Sequence, residues 1–203
     1  MLKTFRESLC AGILITIGGT VFLSCENKTV GAVLFSVALL CICYKSYYLF
    51  TGKIGYIVEQ HKKQDFLNLA VGLFGNLIAT FLLGMLLRTV LPNIGEKAAE
   101  MCSAKLAQFP LYTFIRGFFC GILMYLAVSI YKEKNSVLGI LFCVPVFILC
   151  GFEHSIADMF YLGASGIFSV KIILFTALVV AGNTFGAIVL PLLKGVHTDE
   201  KQG

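Results

Sequence analysis

The chain has 203 residues, of which 58% are hydrophobic and only 13% are charged, and its mean hydropathy is +0.89. Soluble domains carry about 25% charged residues, so this composition excludes an ordinary soluble domain and predicts an integral membrane protein. The formal net charge is +5. Because the basic residues lie in short segments between apolar runs, this charge indicates membrane topology and not nucleic-acid binding.

Six apolar runs follow one another along the chain, and each is long enough to supply the roughly 20 apolar residues of a transmembrane helix. They cover approximately residues 8–24, 30–58, 66–91, 111–131, 137–170 and 171–193. The first run follows a short basic head like that of a signal peptide. No small-residue cleavage pattern follows it, so we interpret it as the first membrane span. The long polar segment 92–109 is interpreted as a loop, and residues 1–203 as a single transmembrane channel domain.

The second and fifth runs are too long for one span, and each contains a polar stretch. These stretches read YKSYYLFTGK at Tyr44–Lys53 and CGFEHSIAD at Cys150–Asp158. Broken helices at corresponding positions of two halves mark a binding site at the membrane midplane. The pairs Gly75–Asn76 and Gly182–Asn183 also recur in the third and sixth runs. We therefore predict an all-α membrane protein of six transmembrane helices, built as an inverted three-plus-three repeat with the second and fifth helices broken.

The distribution of basic residues predicts the orientation. They precede the first run and follow the second, fourth and sixth, which places them on one side of a six-span protein. These residues are Lys3, Arg6, His61, Lys62, Lys63, Lys132, Lys134, Lys194 and Lys201. The positive-inside rule makes that side cytoplasmic. We therefore expect a multi-pass protein of the cell (plasma or inner) membrane with both termini in the cytoplasm.

His154 is the first candidate for chemistry, because it lies in an apolar run beside Glu153 and one helical turn before Asp158. Ionisable groups inside a membrane span are costly and usually face a pore or a partner. Histidine is also the side chain best suited to proton exchange near neutral pH. The alternative is a structural histidine paired with a carboxylate. The break in the helix and the adjacent Ser155 favour a place beside the pore.

Three motifs resemble those of one known family. GFEHSIADMF at Gly151–Phe160 is similar to the fifth-helix signature of the formate/nitrite transporter family. LFTG at Leu49–Gly52 resembles the loop that breaks its second helix, and GNTFG at Gly182–Gly186 resembles its sixth-helix motif. This resemblance covers nearly the whole chain. It implies an aquaporin-like helix arrangement, a homopentamer with one pore in each protomer, and passage of small weak-acid anions such as formate, nitrite and hydrosulfide.

The resemblance also implies roles for individual residues. His154 is the central histidine, Thr51 and Asn183 provide hydrogen bonds in the pore, and Lys105 draws anions into the outer vestibule. Glu153, the neighbour of His154 in the sequence, is interpreted as a further pore residue. The residues implied at two apolar constrictions are Leu39, Phe35, Leu49 and Phe147.

The chain departs from the family pattern at three places, and these bear on the substrate more than on the fold. Tyr48 precedes LFTG, where an acidic or polar residue is expected. Asp158 stands after the histidine motif, where a residue with a small amide side chain is expected. Lys45 lies in the same loop as Tyr48. It either places a fixed positive charge beside the pore or extends its ammonium group to the membrane interface.

These residues predict a channel in which His154 protonates a monovalent anion between the two constrictions. Its partners are the anion, protons, membrane lipid and further copies of the chain; no enzyme activity, cofactor or metal is expected. An aquaporin-like channel for neutral solutes is the alternative, against which stand His154, Lys105 and the lack of paired NPA motifs. A haem or redox subunit is disfavoured because His61 and His197 lie in polar segments, which leaves one histidine in an apolar run.

Overall fold

The computed structural model describes residues 1–59 and 61–195, and these residues form helices joined by short connections. His197 and Lys201 lie outside the described residues. The helices are α1 (Leu2–Ser24), α2 (Lys28–Tyr44), α3 (Phe50–Lys53), which continues into a 3₁₀ turn (Ile54–Val58), α4 (Lys63–Val90), α5 (Pro92–Leu106), α6 (Pro110–Lys134), α7 (Leu138–Leu149), α8 (Ser155–Ser165) and α9 (Lys171–Lys194).

The long helices have the length and composition of membrane spans. Within the described ranges, α1, α4, α6 and α9 are long and apolar enough to cross a membrane, whereas α2 and α7 are apolar but shorter. Large apolar side chains cover the outer surface, including Phe74, Phe142 and Ile173, which are 62%, 68% and 72% exposed. So much exposed apolar surface requires lipid or another subunit against it. The helices therefore support a multi-pass membrane protein, and the count of six spans stays a prediction.

The segment 92–109 differs from its prediction as a loop, because most of it forms helix α5. Pro92 stands at the first helical position, where its missing N–H removes no helical hydrogen bond. Ile94, Ala98 and Cys102 follow at intervals of four and are buried. This spacing places all three on one face of the helix, and α5 packs on α8. The prediction of a loop was wrong because the polar residues hid this narrow apolar face.

Two short non-helical segments interrupt the predicted second and fifth runs. The first separates α2 from α3, and the second separates α7 from α8. Each contains a residue in the left-handed region, Ser46 at φ 55° and Gly151 at φ 68°. Glycine adopts that conformation without steric cost, whereas serine does not. The second interruption is shorter than predicted, because the helix resumes at Ser155 and includes Asp158.

A buried asparagine holds the first interruption in place. The Nδ2 group of Asn76 in α4 donates to the carbonyl oxygens of Ser8 at 2.8 Å and of Tyr48 at 2.9 Å. Its Oδ1 accepts from the backbone N–H of Phe50 at 2.9 Å. Buried backbone polar groups need such partners wherever helical hydrogen bonds are missing. Asn76 thus joins α1 and the α2–α3 segment to α4.

Asn183 in α9 makes the same three kinds of contact with the second interruption. Its Nδ2 group donates to the carbonyl oxygens of Gly117 at 2.9 Å and of Glu153 at 2.8 Å. Its Oδ1 accepts from the backbone N–H of Ser155 at 2.9 Å. In both halves the asparagine accepts from the residue two positions after the one whose carbonyl it binds. This correspondence with Asn76 supports the predicted repeat of two three-helix halves.

Helices α6 and α9 approach closely because glycines line their contact. A Cβ atom at Gly182 would lie 2.5 Å from the carbonyl oxygen of Phe114, and one at Gly117 would lie 3.0 Å from that of Val179. Small residues allow such close helix contacts in membrane proteins. Gly186 faces the carbonyl group of Phe118 in the same way.

A side chain at position 186 is expected to separate α6 from α9. Gly186→Val should cost about 3 kcal/mol or more, because the obstacle is backbone that a rotamer change cannot move. The measurement is the thermal midpoint of the detergent-purified protein. Phe185→Val is the control, since Phe185 is 55% exposed on the outer face of the same helix. Equal midpoints for the two variants would contradict this account of the contact.

Candidate functional site

His154 is buried at the start of α8, where it serves as the N-terminal cap. Its Nδ1 accepts the backbone N–H of Ala157 at 3.1 Å, and its Nε2 lies 2.9 Å from Oγ1 of Thr51. Because Nδ1 acts as an acceptor, the hydrogen-bond network assigns the proton of the neutral imidazole to Nε2, which then donates to Thr51. The hydroxyl hydrogen of Thr51 is left to donate to another acceptor. The structure thus joins two predicted site residues that are 103 positions apart in the chain.

Aromatic side chains cover one face of the imidazole. The ring of Phe147 stacks on His154 with a centroid distance of 5.5 Å and an interplanar angle of 19°. Phe35 packs edge-on against Phe147 at 6.3 Å, and both phenylalanines are buried. These are two of the four predicted constriction residues. They place an apolar obstacle directly beside the titratable ring.

A cavity of about 180 Å³ reaches this ring from one end of the bundle. We call it the Lys105 cavity; the lining residues that matter here are Phe22, Lys105, Phe147, His154, Asp158 and Tyr161. A second cavity of about 100 Å³ lies toward the other end. We call it the Lys53 cavity; its lining includes Leu39, Leu49, Gly52, Lys53, Tyr131 and Lys132.

The two cavities lie toward opposite ends of α6. Lys105 precedes the first residue of α6, whereas Lys132 lies in its last turn. The two cavities share no lining residue and are therefore separate. Leu39 and Leu49, the other two predicted constriction residues, are buried and border the Lys53 cavity. Phe147 lines the Lys105 cavity, and Phe35 packs against Phe147 without lining either cavity.

Lys105 forms ion pairs with two carboxyl groups. We call Lys105, Glu153 and Asp158 together the Lys105 cluster. Its Nζ forms ion pairs with Oε2 of Glu153 and, at 3.0 Å, with Oδ1 of Asp158. The other oxygen of Glu153 accepts from Nε2 of Gln108 at 2.8 Å. One ammonium group facing two ionised carboxylates leaves an excess of negative charge. The charge of Lys105 is thus ion-paired within this cluster, and its role in drawing anions into the outer vestibule stays a prediction.

The structure gives Asn183 a positioning role. Both hydrogens of its amide group and its oxygen are engaged with backbone groups, as described above. The side chain is fully buried. An amide nitrogen offers only two hydrogens. This geometry favours support of the segment that carries His154 over the predicted hydrogen bond to an anion.

Lys45 is exposed at the C-terminal end of α2, while two other lysines line the nearby cavity. Lys53 lies 5.7 Å from the ring centroid of Tyr48, and Lys132 lies 3.7 Å from that of Tyr56. Aromatic faces attract cations at such distances. No ion pair joins Lys53 or Lys132 to a carboxylate within residues 1–59 and 61–195. These lysines bring positive charge to the Lys53 cavity.

The sequence interpretation missed three polar residues of these sites. Lys53 directly follows LFTG, and that position was the available signal for a role beside the pore. Gln108 lies in the segment interpreted as a loop, and Lys132 was used only to assign orientation. Neither carries a local pattern that reveals its contact, because the partners of both are distant in sequence.

Comparison with known proteins agrees with this architecture. A family model described as formate/nitrite transporter matches residues 1–194. An uncharacterized transporter of Bacillus subtilis (strain 168), YwcJ, is 29% identical over 179 residues, which is 78% of this chain and 70% of the relative. These relatives are transporters by name and not enzymes, and the resemblance inferred from the three motifs is confirmed.

Two solved structures share the fold. A structure described as a pentameric formate channel with formate bound matches with a TM-score of 0.78 at 24% identity, covering 95% of each chain. A structure described as an FNT family ion channel matches with a TM-score of 0.75 at 20% identity, covering 95% of this chain and 87% of that chain. At this identity the likeness establishes the fold alone.

Proposed function

Because the chain belongs to the formate/nitrite transporter family, we propose that it is a membrane channel for small monovalent weak-acid anions such as formate, nitrite or hydrosulfide. The observation that carries this proposal is the position of His154. Its buried imidazole lines the Lys105 cavity, contacts Thr51 and stacks on an apolar constriction. A proton-exchanging group beside a dry barrier suits the passage of a substrate that crosses as its neutral acid.

The proposed architecture is the predicted one. Helices α2 and α3 together, and α7 and α8 together, form the two broken spans among six, arranged as an aquaporin-like inverted repeat. The matching contacts of Asn76 and Asn183 support the repeat. The basic segments support a cytoplasmic location of both termini in a cell-membrane protein, with the Lys105 cavity facing outward and the Lys53 cavity facing inward. The similar solved structure is described as a pentameric formate channel, and this supports a homopentamer here.

Desolvation sets the energetic problem that the channel must solve. Moving a bare anion into an apolar constriction costs on the order of several kcal/mol even after relaxation. Loss of water also favours the neutral form of a weak acid. In the proposed mechanism the anion enters the Lys105 cavity, receives a proton from His154, crosses the apolar barrier as the acid, and ionises again in the Lys53 cavity. Lys53 and Lys132 favour that ionised form on the inner side.

The hydrogen bonds of His154 define how it performs this step. To hold a second proton, Nδ1 must release the backbone N–H of Ala157, because a protonated nitrogen no longer accepts. The imidazolium then has an N–H that is free to protonate the anion in the Lys105 cavity. Thr51 accepts from Nε2, and its hydroxyl hydrogen is available to the substrate in place of lost water. Asn183 holds the segment before α8 so that the ring stays in this position.

The test is uptake of labelled formate into proteoliposomes that contain the purified protein. We expect saturable uptake well above that of empty vesicles, rising as the external pH falls because more protons reach the site. The aquaporin-like alternative is measured on the same vesicles by stopped-flow swelling in glycerol. Rapid glycerol entry without formate uptake would contradict the proposed function and support the alternative.

A further inference from the structure

The Lys105 cluster contains a carboxylate oxygen that the contacts described so far leave unused. Oδ1 of Asp158 pairs with Lys105 at 3.0 Å, whereas Oδ2 is buried and has no hydrogen-bond partner among the described residues. Asp158 is only 3% exposed and lines the Lys105 cavity. Both oxygens of the neighbouring Glu153 are occupied, one by Lys105 and one by Gln108. A buried ionised oxygen without a partner is costly, so Oδ2 is the position in this cluster at which a proton is best accommodated.

The groups around Asp158 do not supply a second positive charge. The titratable side chains that face it are those of Lys105 and Cys102 from α5, Glu153 before α8, Cys120 from α6 and Tyr161 from α8. Among these five, only Lys105 is a cation, and Glu153 shares it. His154, which lines the same cavity, is neutral in the hydrogen-bonded form described above. A proton on Asp158 would bring the cluster to neutrality.

The neutral imidazole of His154 has no free nitrogen, since Nδ1 accepts from Ala157 and Nε2 contacts Thr51. We infer that Asp158 is the group that loads protons into the outer cavity, and that its Oδ2 takes a proton from external water and delivers it to the anion or to His154. This inference rests on the proposed function and identifies the source of the proton used there. It also gives a role to the acid that replaces a small amide in the family motif.

The proton transfer is balanced without another reactant. External hydronium gives a proton to the carboxylate of Asp158, which becomes a carboxylic acid while water leaves. The cluster of Lys105, Glu153 and Asp158 is then neutral, and an anion enters the cavity. The O–H bond of Asp158 breaks as the proton passes to the anion, directly or through His154, and the neutral acid moves inward. The restored negative charge repels a second anion until another proton binds, so one proton accompanies each anion.

The experiment compares the wild type with Asp158→Asn in proteoliposomes that contain a pH-sensitive dye. Formate is added outside under an inward proton gradient, and formate uptake and internal acidification are recorded together. We expect about one proton per formate in the wild type. In the variant we expect gradient-driven uptake to fall at least about tenfold, because the carboxamide keeps the shape but does not donate a proton of this acidity. Asp158→Glu, which retains a carboxyl group, should recover part of the loss.

Glu100→Gln is the matched control. Glu100 is exposed on α5, the helix that carries Lys105, and its replacement removes one negative charge outside the Lys105 cluster. It should behave as the wild type. Infrared spectroscopy provides a second measurement that needs no transport. Acidification of the wild type should produce a protonated-carboxyl C=O band that is missing from the same acidification difference spectrum of Asp158→Asn, in which only the bands of the other carboxyl groups remain. Identical bands in both proteins, or unchanged proton-to-formate ratios and rates in the variant, would overturn the inference. A wild-type protein that takes up no formate would instead refute the proposed function.

Discussion

Replacement of His154 by asparagine is expected to lower formate flux by about a hundredfold, because the substituted group no longer transfers a proton near neutral pH. Flux in this variant should also lose its steep rise as the external pH falls. Alanine is the usual choice for such a test. Here it has a second effect, because His154 caps α8 through the backbone N–H of Ala157. Loss of a helix cap costs about 1 kcal/mol, which would mix a folding defect with a transport defect.

Asparagine avoids this second effect. Its Oδ1 can accept from the N–H of Ala157, as asparagine commonly does at this position of a helix. Its Nδ2 group can donate toward Thr51, as Nε2 of the histidine does. What His154→Asn removes is therefore the ability to bind and release a proton. Comparison with His154→Ala separates the cost of the cap from that of the proton transfer.

The measurement is formate flux at several external pH values, with thermal stability of each variant recorded in detergent. We expect His154→Asn to retain the wild-type unfolding temperature and His154→Ala to lose some of it. Both should lose the pH-dependent component of flux. If His154→Asn folds normally and keeps both the rate and the pH profile of the wild type, protonation by His154 is refuted.

Local patterns in the sequence were sufficient to locate much of the fold. The apolar runs predicted α1, α4, α6 and α9 to within several residues at each end. The polar stretches around LFTG and FEHS identified the two interruptions, since such residues do not continue a lipid-facing helix. Thr51 and His154 stand at these interruptions and are in contact. These features depend on composition and short-range geometry, which the sequence displays directly.

The features that sequence reasoning missed depend on contacts between distant segments. Lys105 and Glu153 are 48 positions apart, so nothing near Lys105 shows that its charge is matched by two carboxylates. Lys53, and not Lys45, lines the Lys53 cavity, and this depends on the backbone around Ser46, a residue that has no marked preference for the left-handed conformation it adopts. The side-chain amide of Asn183 donates both its hydrogens to backbone carbonyl groups only because α6 and the α7–α8 segment lie beside it.

Asn76 and Asn183 are expected to have equal effects on stability, although only Asn183 was predicted to contact the substrate. Leucine at either position leaves two carbonyl groups and one backbone N–H without their partner in a fully buried site. Each such group costs about 1–3 kcal/mol, so either substitution should remove several kcal/mol. That is a large share of the 5–15 kcal/mol by which typical domains are stable, and we expect low yields or markedly lower unfolding temperatures.

The two leucine variants also show whether Asn183 positions the segment before α8 or contacts the substrate. If Asn183 acts by holding the segment that carries His154, then Asn76→Leu and Asn183→Leu should reduce unfolding temperature and flux together. Thr184→Val is the control, since Thr184 neighbours Asn183 and its hydroxyl donates only to the carbonyl of Val180 within its own helix. It should change neither quantity. If Asn183→Leu lost flux at an unchanged unfolding temperature while Asn76→Leu lost stability, the amide of Asn183 would have to meet the anion directly. The hydrogen bonds to Gly117 and Glu153 would then have to open during transport.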